Sequence, residues 1–170
     1  VPSIVIDQPA PSFLLPTSTP FVAITYSDAQ GVDLTTLQIS LDGVDRTSEF
    51  VAGPGSTSAT LPAIPEGAHT LTAEIRDLTG NLATTTAPFQ TDTIAPGVTI
   101  VSPSSGDLLR STFPELKFAY VDPGGSGIEP DTIRAFLDGV EITSAFVRGG
   151  TEAVGVPPAP LEDGNHTLRV

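Results

Sequence analysis

Apolar and polar residues alternate with a period of two in several short segments of the chain. The clearest examples are two triplets of apolar residues separated by polar ones, Leu37, Ile39 and Leu41 and then Leu71, Ala73 and Ile75. Such alternation is typical of half-buried β-strands, because the apolar residues of a helix recur every three or four positions. Frequent Pro and Gly leave few windows for a long helix. The pattern predicts strands at residues 3–7, 20–27, 36–42, 44–50, 56–62, 68–76 and 82–90.

The chain repeats itself. LDGVDRTSEF at 41–50 returns as LDGVEITSAF at 137–146, with seven of the ten positions identical. Three more segments recur in the same order: PSIVIDQP as PGVTIVSP, FVAITYSD as LKFAYVDP, and PEGAHTLTA as EDGNHTLRV. These matches predict one domain present nearly twice, with domains at 1–94 and 95–170. In both copies Asp-Gly directly follows a strand, which indicates a two-residue hairpin because Gly accepts a positive φ.

Seven short antiparallel strands in one domain of this length predict an immunoglobulin-like β-sandwich. The sequence has no Cys and no Trp, so aliphatic residues with Phe and Tyr must form the core. We therefore expect an all-β protein of two tandem sandwiches, the second lacking its last strand because no counterpart of 82–90 follows. Further chain beyond Val170 is the preferred completion, and a strand added from another segment is the alternative. The short stretch 91–100 is interpreted as a semi-rigid joint.

The repeated residues resemble a known family. LDGVD-T--F, then P-G-HTLTA-I-D-TGN and TDT-AP, resembles the bacterial Ig-like repeats of large surface proteins and adhesins, which also occur in secreted enzymes. The resemblance covers nearly all of 1–94, and 95–170 up to the last strand. It implies an extracellular or cell-surface module that spaces, stiffens or adheres, with neighbouring repeats of the same polypeptide as partners.

The charge balance argues against two kinds of partner. The chain carries 20 Asp and Glu against 7 Lys and Arg, a net charge of −13. An acidic surface repels nucleic-acid phosphates and anionic lipid headgroups, so we expect no nucleic-acid partner. No run of about 18 apolar residues occurs, so we expect no membrane insertion. The chain contains no Met and begins without a signal sequence, and it is interpreted as a piece of a longer protein.

The two histidines are the strongest catalytic candidates, and their positions argue against catalysis. His69 and His166 occupy the same place in both copies, as a hydrogen-bonding role at the start of a strand would require. No nucleophile-elbow, zinc-protease, phosphate-loop or dinucleotide motif is present. We expect no enzyme activity and no cofactor other than Ca²⁺.

Calcium is suggested by acidic loops at the expected ends of the domains. One set would meet at the joint between the two domains: Asp92, Asp122, Glu129 and Asp131. A second set would lie at the entry end of the first domain: Asp28, Asp33, Asp77 and Asn81. Carboxylate and amide oxygens are the ligands that Ca²⁺ requires. The alternative is that these residues bind their own backbone, as Asp and Asn do in turns.

The aromatic residues leave two further functions open. Tyr26 and Tyr120 coincide in the repeat, as do Phe50 and Phe146, which indicates core or corner positions. Phe13, Phe89 and Phe113 do not recur and are the candidates for a sugar-binding surface. The leading hypothesis is a non-catalytic spacer, in a stalk or fibre. The alternatives are a carbohydrate- or ligand-binding adhesin module and a filament subunit that self-associates through the open edge of the second domain.

Overall fold

The computed structural model describes all residues from Val1 to Val170 and contains strands and short 3₁₀ turns but no α-helix. The strands are β1 (Ser3–Gln8), β2 (Phe13–Leu15), β3 (Phe21–Ser27), β4 (Val32–Leu41), β5 (Val44–Asp45), β6 (Ser56–Thr60), β7 (Gly67–Asp77), β8 (Leu82–Thr91), β9 (Gly97–Ser102), β10 (Leu116–Val121), β11 (Phe136–Leu137), β12 (Val140–Glu141), β13 (Phe146–Arg148), β14 (Glu152–Gly155) and β15 (Leu168–Arg169). The 3₁₀ turns are Thr47–Glu49, Pro130–Thr132 and Thr143–Ala145. The chain contains no helix that is long and apolar enough to cross a bilayer.

The chain forms two compact units, unit 1 at Val1–Thr93 and unit 2 at Ile94–Val170, where the sequence predicted 1–94 and 95–170. Unit 1 consists of a three-stranded sheet, β1-β3-β6, and a five-stranded sheet, β2-β8-β7-β4-β5. The alternating apolar residues of both sheets meet in one core, as the period of two predicted. Ile24, Leu71 and Ile75 are fully buried there. Unit 1 is an immunoglobulin-like β-sandwich whose core combines aliphatic residues with Phe and Tyr.

The strand predicted at 44–50 is wrong over most of its length. β5 ends at Asp45 and a 3₁₀ turn occupies Thr47–Glu49. The carboxylate of Asp45 accepts the Thr47 N–H at 2.8 Å, and the Thr47 hydroxyl accepts the Ile39 N–H at 2.9 Å. Side chains therefore take the hydrogen bonds that a longer strand would have made through its backbone. Phe50 is buried as expected, but it follows the turn and does not end a strand.

The sequence pattern did not predict β2, which pairs in parallel with β8. β1 belongs to the other sheet, so the chain must change sheets between Gln8 and Phe13. Ser12 allows this change by adopting a positive φ of 63°. Its N–H donates to the Pro88 carbonyl at 2.6 Å, which anchors the start of β2 on β8. The second and last strands of unit 1 thus lie side by side.

Unit 2 has a four-stranded sheet, β13-β14-β10-β9, and a three-stranded sheet, β12-β11-β15. Thr143 repeats the role of Thr47, because its hydroxyl accepts the Ala135 N–H at 3.0 Å ahead of another 3₁₀ turn. No strand corresponds to β8 or β2, so β15 is an edge strand. That the second domain lacks its last strand stays a prediction.

The repeated Asp-Gly dipeptides form the predicted hairpin turns. Asp42 and Gly43 have φ values of 52° and 79°, and Asp138 and Gly139 have values of 51° and 83°. Two consecutive positive φ values define the turn that suits the twist of a two-residue hairpin. The turns join β4 to β5 and β11 to β12.

Candidate functional site

A hydrogen-bonded pair of His and Asp side chains holds each of these turns to a neighbouring strand. In unit 1, His69 Nδ1 lies 2.7 Å from Asp42 Oδ2, and His69 Nε2 lies 2.9 Å from the Pro65 carbonyl. The other Asp42 oxygen accepts the Thr70 N–H at 2.7 Å. Burial raises the pKa of Asp42, but the hydrogen bonds from His69 and Thr70 outweigh it and hold the pKa below its ordinary value. We call this arrangement the His–Asp clasp.

Unit 2 has the same clasp with the same atoms. His166 Nδ1 lies 2.7 Å from Asp138 Oδ2, His166 Nε2 lies 2.8 Å from the Glu162 carbonyl, and Asp138 Oδ1 accepts the Thr167 N–H at 2.7 Å. The hydrogen bond to Asp138, followed by that to Glu162, raises the pKa of His166. The His166 and Thr167 hydrogen bonds lower the pKa of Asp138. The predicted structural role of both histidines is confirmed, because each joins a hairpin turn to a strand.

The second set of predicted calcium ligands, Asp28, Asp33, Asp77 and Asn81 of unit 1, mostly forms hydrogen bonds within its own loops. Asp77 Oδ1 accepts the N–H of Asn81 at 2.9 Å and both the N–H and the hydroxyl of Thr79, while Oδ2 accepts the Asn81 amide at 2.7 Å. These bonds, with that from the Asn81 side chain the largest contribution, hold the pKa of Asp77 far below its ordinary value. Asp33 accepts two hydrogen bonds from Thr35.

Asp28 is the one member of this set that the structure brings toward Asp77. Their carboxylate oxygens lie 3.6 Å and 3.8 Å from the backbone nitrogen of Val1. Asp28 also accepts the Gln30 N–H at 2.8 Å. The set therefore contains one close pair, Asp28 and Asp77, and the turn-forming alternative accounts for most of its bonds.

The residues predicted at the joint have separate local partners. Asp122 accepts the N–H of Gly124 at 3.1 Å, the N–H of Gly127 and the Ser126 hydroxyl, which organises the loop that follows β10. Asp131 pairs with Arg148 at 3.1 Å. The remaining two contribute backbone bonds, the Glu129 carbonyl accepting from Thr132 and the Asp92 N–H donating to Leu15. Within each unit no three acidic or His side chains converge on a common point, and calcium binding at either set stays a prediction.

Two aromatic predictions can be compared with the structure. Tyr26 and Tyr120 occupy equivalent corners: Tyr26 donates to the carbonyls of Gly53 at 2.9 Å and Ser56 at 3.1 Å, and Tyr120 donates to those of Gly149 and Glu152. Their predicted corner role is confirmed.

The prediction that Phe89 belongs to a sugar-binding surface is wrong. It is 3% exposed and its ring lies 5.5 Å from that of His69, because its place on β8 faces the core. Phe13 and Phe113 are each half exposed.

The two units differ in the exposure of the apolar residues of β9 and β1. Val98 and Ile100 of β9 are 46% and 38% exposed, whereas the residues at the same place in the repeat, Ile4 and Ile6, are 8% and 6% exposed. In unit 1, β8 lies close to β1, and Ile4 and Ile6 belong to the core. Aligning PSIVIDQP with PGVTIVSP already pairs these residues, so the repeat contained the signal, although the sequence analysis did not identify the surface.

A groove of about 300 Å³ opens beside this surface, and we call it the open groove. Its apolar lining includes Val98, Tyr120, Ile128, Ile133, Phe136 and Val170. The guanidinium groups of Arg134 and Arg169 also line it, and Arg169 stacks 4.4 Å from the centre of the Phe136 ring. The groove therefore combines an apolar floor with two cationic side chains.

No known family profile matches the sequence, and a search of characterised proteins finds no relative. Among solved structures, the fibronectin(III)-like modules of Clostridium thermocellum CbhA match at 16% identity and a TM-score of 0.43, over 98% of this chain and 83% of that chain. Latent PorU from Porphyromonas gingivalis matches at 17% identity and a TM-score of 0.45, over 99% of this chain but only 19% of PorU. CopC from Methylosinus trichosporium OB3b matches at 15% identity and a TM-score of 0.43, over 54% of this chain and 94% of CopC. At these identities and scores the likeness says nothing about activity, ligand or partner.

Proposed function

We propose that the chain is a non-catalytic structural module of a bacterial extracellular or cell-surface protein, in which sandwiches of the Ig-like repeat kind transmit tension between their neighbours. The observation that carries the proposal is the parallel pairing of β2 with β8. β2 is the second strand of unit 1 and β8 is its last, so a force that separates the ends of the unit loads this pair as well as the β1–β3 pair that precedes it.

The direction of the pairing determines how the force is resisted. A pull on the start of β2 and the end of β8 slides two parallel strands past each other, and all the hydrogen bonds between them must be loaded together. The Asp92 N–H, for example, donates to the Leu15 carbonyl at 3.0 Å at the end of this pair. In an antiparallel hairpin pulled from its open end, the bonds would break one after another. The arrangement therefore supports a load-bearing role.

The hydrogen bonds made by the two histidines support the non-catalytic part of the proposal. Both histidines are committed to the clasps on both ring nitrogens. A general base needs a nitrogen within reach of a substrate proton. The recurrence of the same bonds in both units fits a role in the scaffold.

Single-molecule force spectroscopy of the chain between two handles tests the proposal. Unfolding of unit 1 should release roughly 300 Å of contour length, since an extended residue spans about 3.3–3.6 Å. Leu15→Pro should lower its unfolding force, because Pro cannot donate in the β2–β8 pair, where the Leu15 carbonyl already accepts the Asp92 N–H. Val44→Pro is the matched control, since it alters the edge strand β5, which lies outside the loaded pair.

Two results would count against a tension-bearing role. One is an equal loss of unfolding force in the Leu15→Pro and Val44→Pro variants. The other is an unfolding force for unit 1 no higher than that for unit 2, which has no counterpart of the β2–β8 pair.

A further inference from the structure

We propose that a polar cavity in unit 2 is a binding site for a neutral saccharide. The cavity has a volume of about 500 Å³ and is lined by residues of the 3₁₀ turns Pro130–Thr132 and Thr143–Ala145 and of β12 and β13. We call it the ion-pair cavity. It lies in unit 2 alone, so it is independent of the load-bearing role of unit 1, and it does not involve Phe13 or Phe113.

The two copies of the repeat differ at this cavity. Unit 2 carries charged side chains at three lining positions where the aligned residue of unit 1 is neutral: Asp131 for Thr35, Arg134 for Gln38 and Arg148 for Ala52. The other lining positions keep their residue type: Glu141 for Asp45, Thr143 for Thr47, Ser144 for Ser48 and Phe146 for Phe50. The charged differences between the copies therefore converge on one place in the fold.

Both arginines are anchored to main-chain carbonyls of one short segment, 130–133. Arg134 Nη1 donates to two of these carbonyls, at 2.6 Å and 3.1 Å, and Arg148 Nη1 donates to a third at 2.9 Å. Unit 1 has no 3₁₀ turn at the matching place, because β4 runs through it. A guanidinium group that is fixed before binding loses less freedom when a ligand arrives, which favours affinity.

Each arginine also stands beside a carboxylate. Arg148 Nη2 lies 3.1 Å from Asp131 Oδ1, and Arg134 Nε lies 3.6 Å from Glu141 Oε1, which also accepts the Thr143 hydroxyl at 2.8 Å. The second oxygen of each carboxylate and Arg134 Nη2 make no further hydrogen bond within unit 2. The arginine side chains are 28% and 53% exposed, and ion pairs at such exposure contribute little to stability. Their polar groups are therefore available to a solute.

The balance of charge in the cavity determines the class of ligand. An anion would be repelled by Asp131 and Glu141, and a cation would be repelled by the two guanidinium groups. A hydroxyl group both donates and accepts, so adjacent hydroxyls can accept from an arginine and donate to the neighbouring carboxylate. Phe146 adds an apolar part to the wall, against which the C–H groups of a sugar ring can pack. A neutral saccharide has both features.

The test is a titration of the ¹⁵N-labelled full chain, followed by NMR, with three neutral saccharides: maltotriose, cellotriose and mannotriose. We expect at least one of them to cause saturable shifts of the backbone amide signals at 131–134 and 141–148, and no saturable shifts elsewhere. Inorganic phosphate is the comparison ligand. It should bind more weakly than that saccharide, because the carboxylates repel it.

Variants of the chain locate the binding. Arg134→Gln and Arg148→Ala introduce the residues that unit 1 carries at the same places, so the fold accommodates them. Each should weaken saccharide binding by about tenfold, because a hydrogen bond to a charged group is lost. Arg110→Gln is the matched control, since Arg110 is exposed and does not line the cavity. Unchanged amide signals from the buried Phe118 would show that unit 2 remains folded in each variant.

Three results would overturn the proposal. The first is no saturation with any of the three saccharides up to about 20 mM, a concentration at which even a weak specific site would fill. The second is a saccharide affinity that Arg134→Gln and Arg148→Ala leave unchanged, or saturable shifts confined to residues outside the cavity. The third is tighter binding of phosphate than of any saccharide, which would make the cavity an anion site.

Discussion

Replacing Tyr26 by Phe removes a hydroxyl that closes one corner of unit 1 and leaves the ring in place. The hydroxyl donates to the Gly53 carbonyl at 2.9 Å and to the Ser56 carbonyl at 3.1 Å. Ser56 keeps a bond from the Gly53 N–H at 3.0 Å, so the main loss falls on the Gly53 carbonyl. A net hydrogen bond contributes about 0.5–1.5 kcal/mol, and an unsatisfied buried acceptor costs about 1–3 kcal/mol. We expect the free energy of unfolding of unit 1 to fall by about 1–2 kcal/mol.

Differential scanning calorimetry of the full chain measures this loss. For a domain of this size, 1 kcal/mol corresponds to a shift in Tm of about 4–8 °C, so the unit 1 transition should move down by roughly 5–15 °C. Tyr120→Phe is the matched variant, because it removes the equivalent hydroxyl from unit 2. Each substitution should move one transition only. A Tyr26→Phe shift below about 2 °C, or equal shifts of both transitions from one substitution, would refute the reasoning.

Two further predictions concern a clasp and the core. Because the pKa of His166 is raised and that of Asp138 is lowered, the clasp stabilises unit 2 most between about pH 4 and 6.5. The His166 contribution is lost as pH rises through its raised pKa, and the Asp138 contribution is lost as pH falls through its lowered pKa. His166→Gln should remove the decline in the unit 2 denaturation midpoint on the alkaline side, and an unchanged pH profile would contradict the role of the clasp. In unit 1, Ile24→Ala should cost about 2–5 kcal/mol in urea unfolding because Ile24 is fully buried. Val51→Ala should change stability by less than about 0.5 kcal/mol, since Val51 is 88% exposed; similar losses for both would contradict the assignment of the core.

The sequence predicted the parts of the fold that depend on local pattern. The period of two identified the buried faces of β4 and β7, and Asp42-Gly43 identified a turn because only a positive φ fits there. β2 was not predicted because its three residues are too few to show an alternating pattern. Its pairing also depends on β8, which lies far along the chain. The strand at 44–50 was overestimated because the Thr47 hydroxyl competes with backbone bonding, and propensity alone does not reveal such competition.

The candidate sites were harder to predict than the fold. The repeat of His69 and His166 correctly indicated a structural role, because identical bonds need identical positions. The sequence identified the acidic loop residues but could not predict which of them lie close together. Whether Asp122 faces a cation or its own loop depends on the conformation of that loop. The open groove was not predicted, because the exposure of Val98 and Ile100 depends on which strand packs beside β9 and not on their own residue types.

The pair of tyrosine corners has a practical consequence for spectroscopy. The chain has no Trp and only two Tyr, one in each unit, so its near-ultraviolet fluorescence comes from two residues in matching surroundings. Each phenol is 3% exposed and donates to a main-chain carbonyl, an environment that disappears when its unit opens. Replacing either Tyr by Phe leaves a single intrinsic probe. The two variants together would report the unfolding of each unit separately, without an added dye.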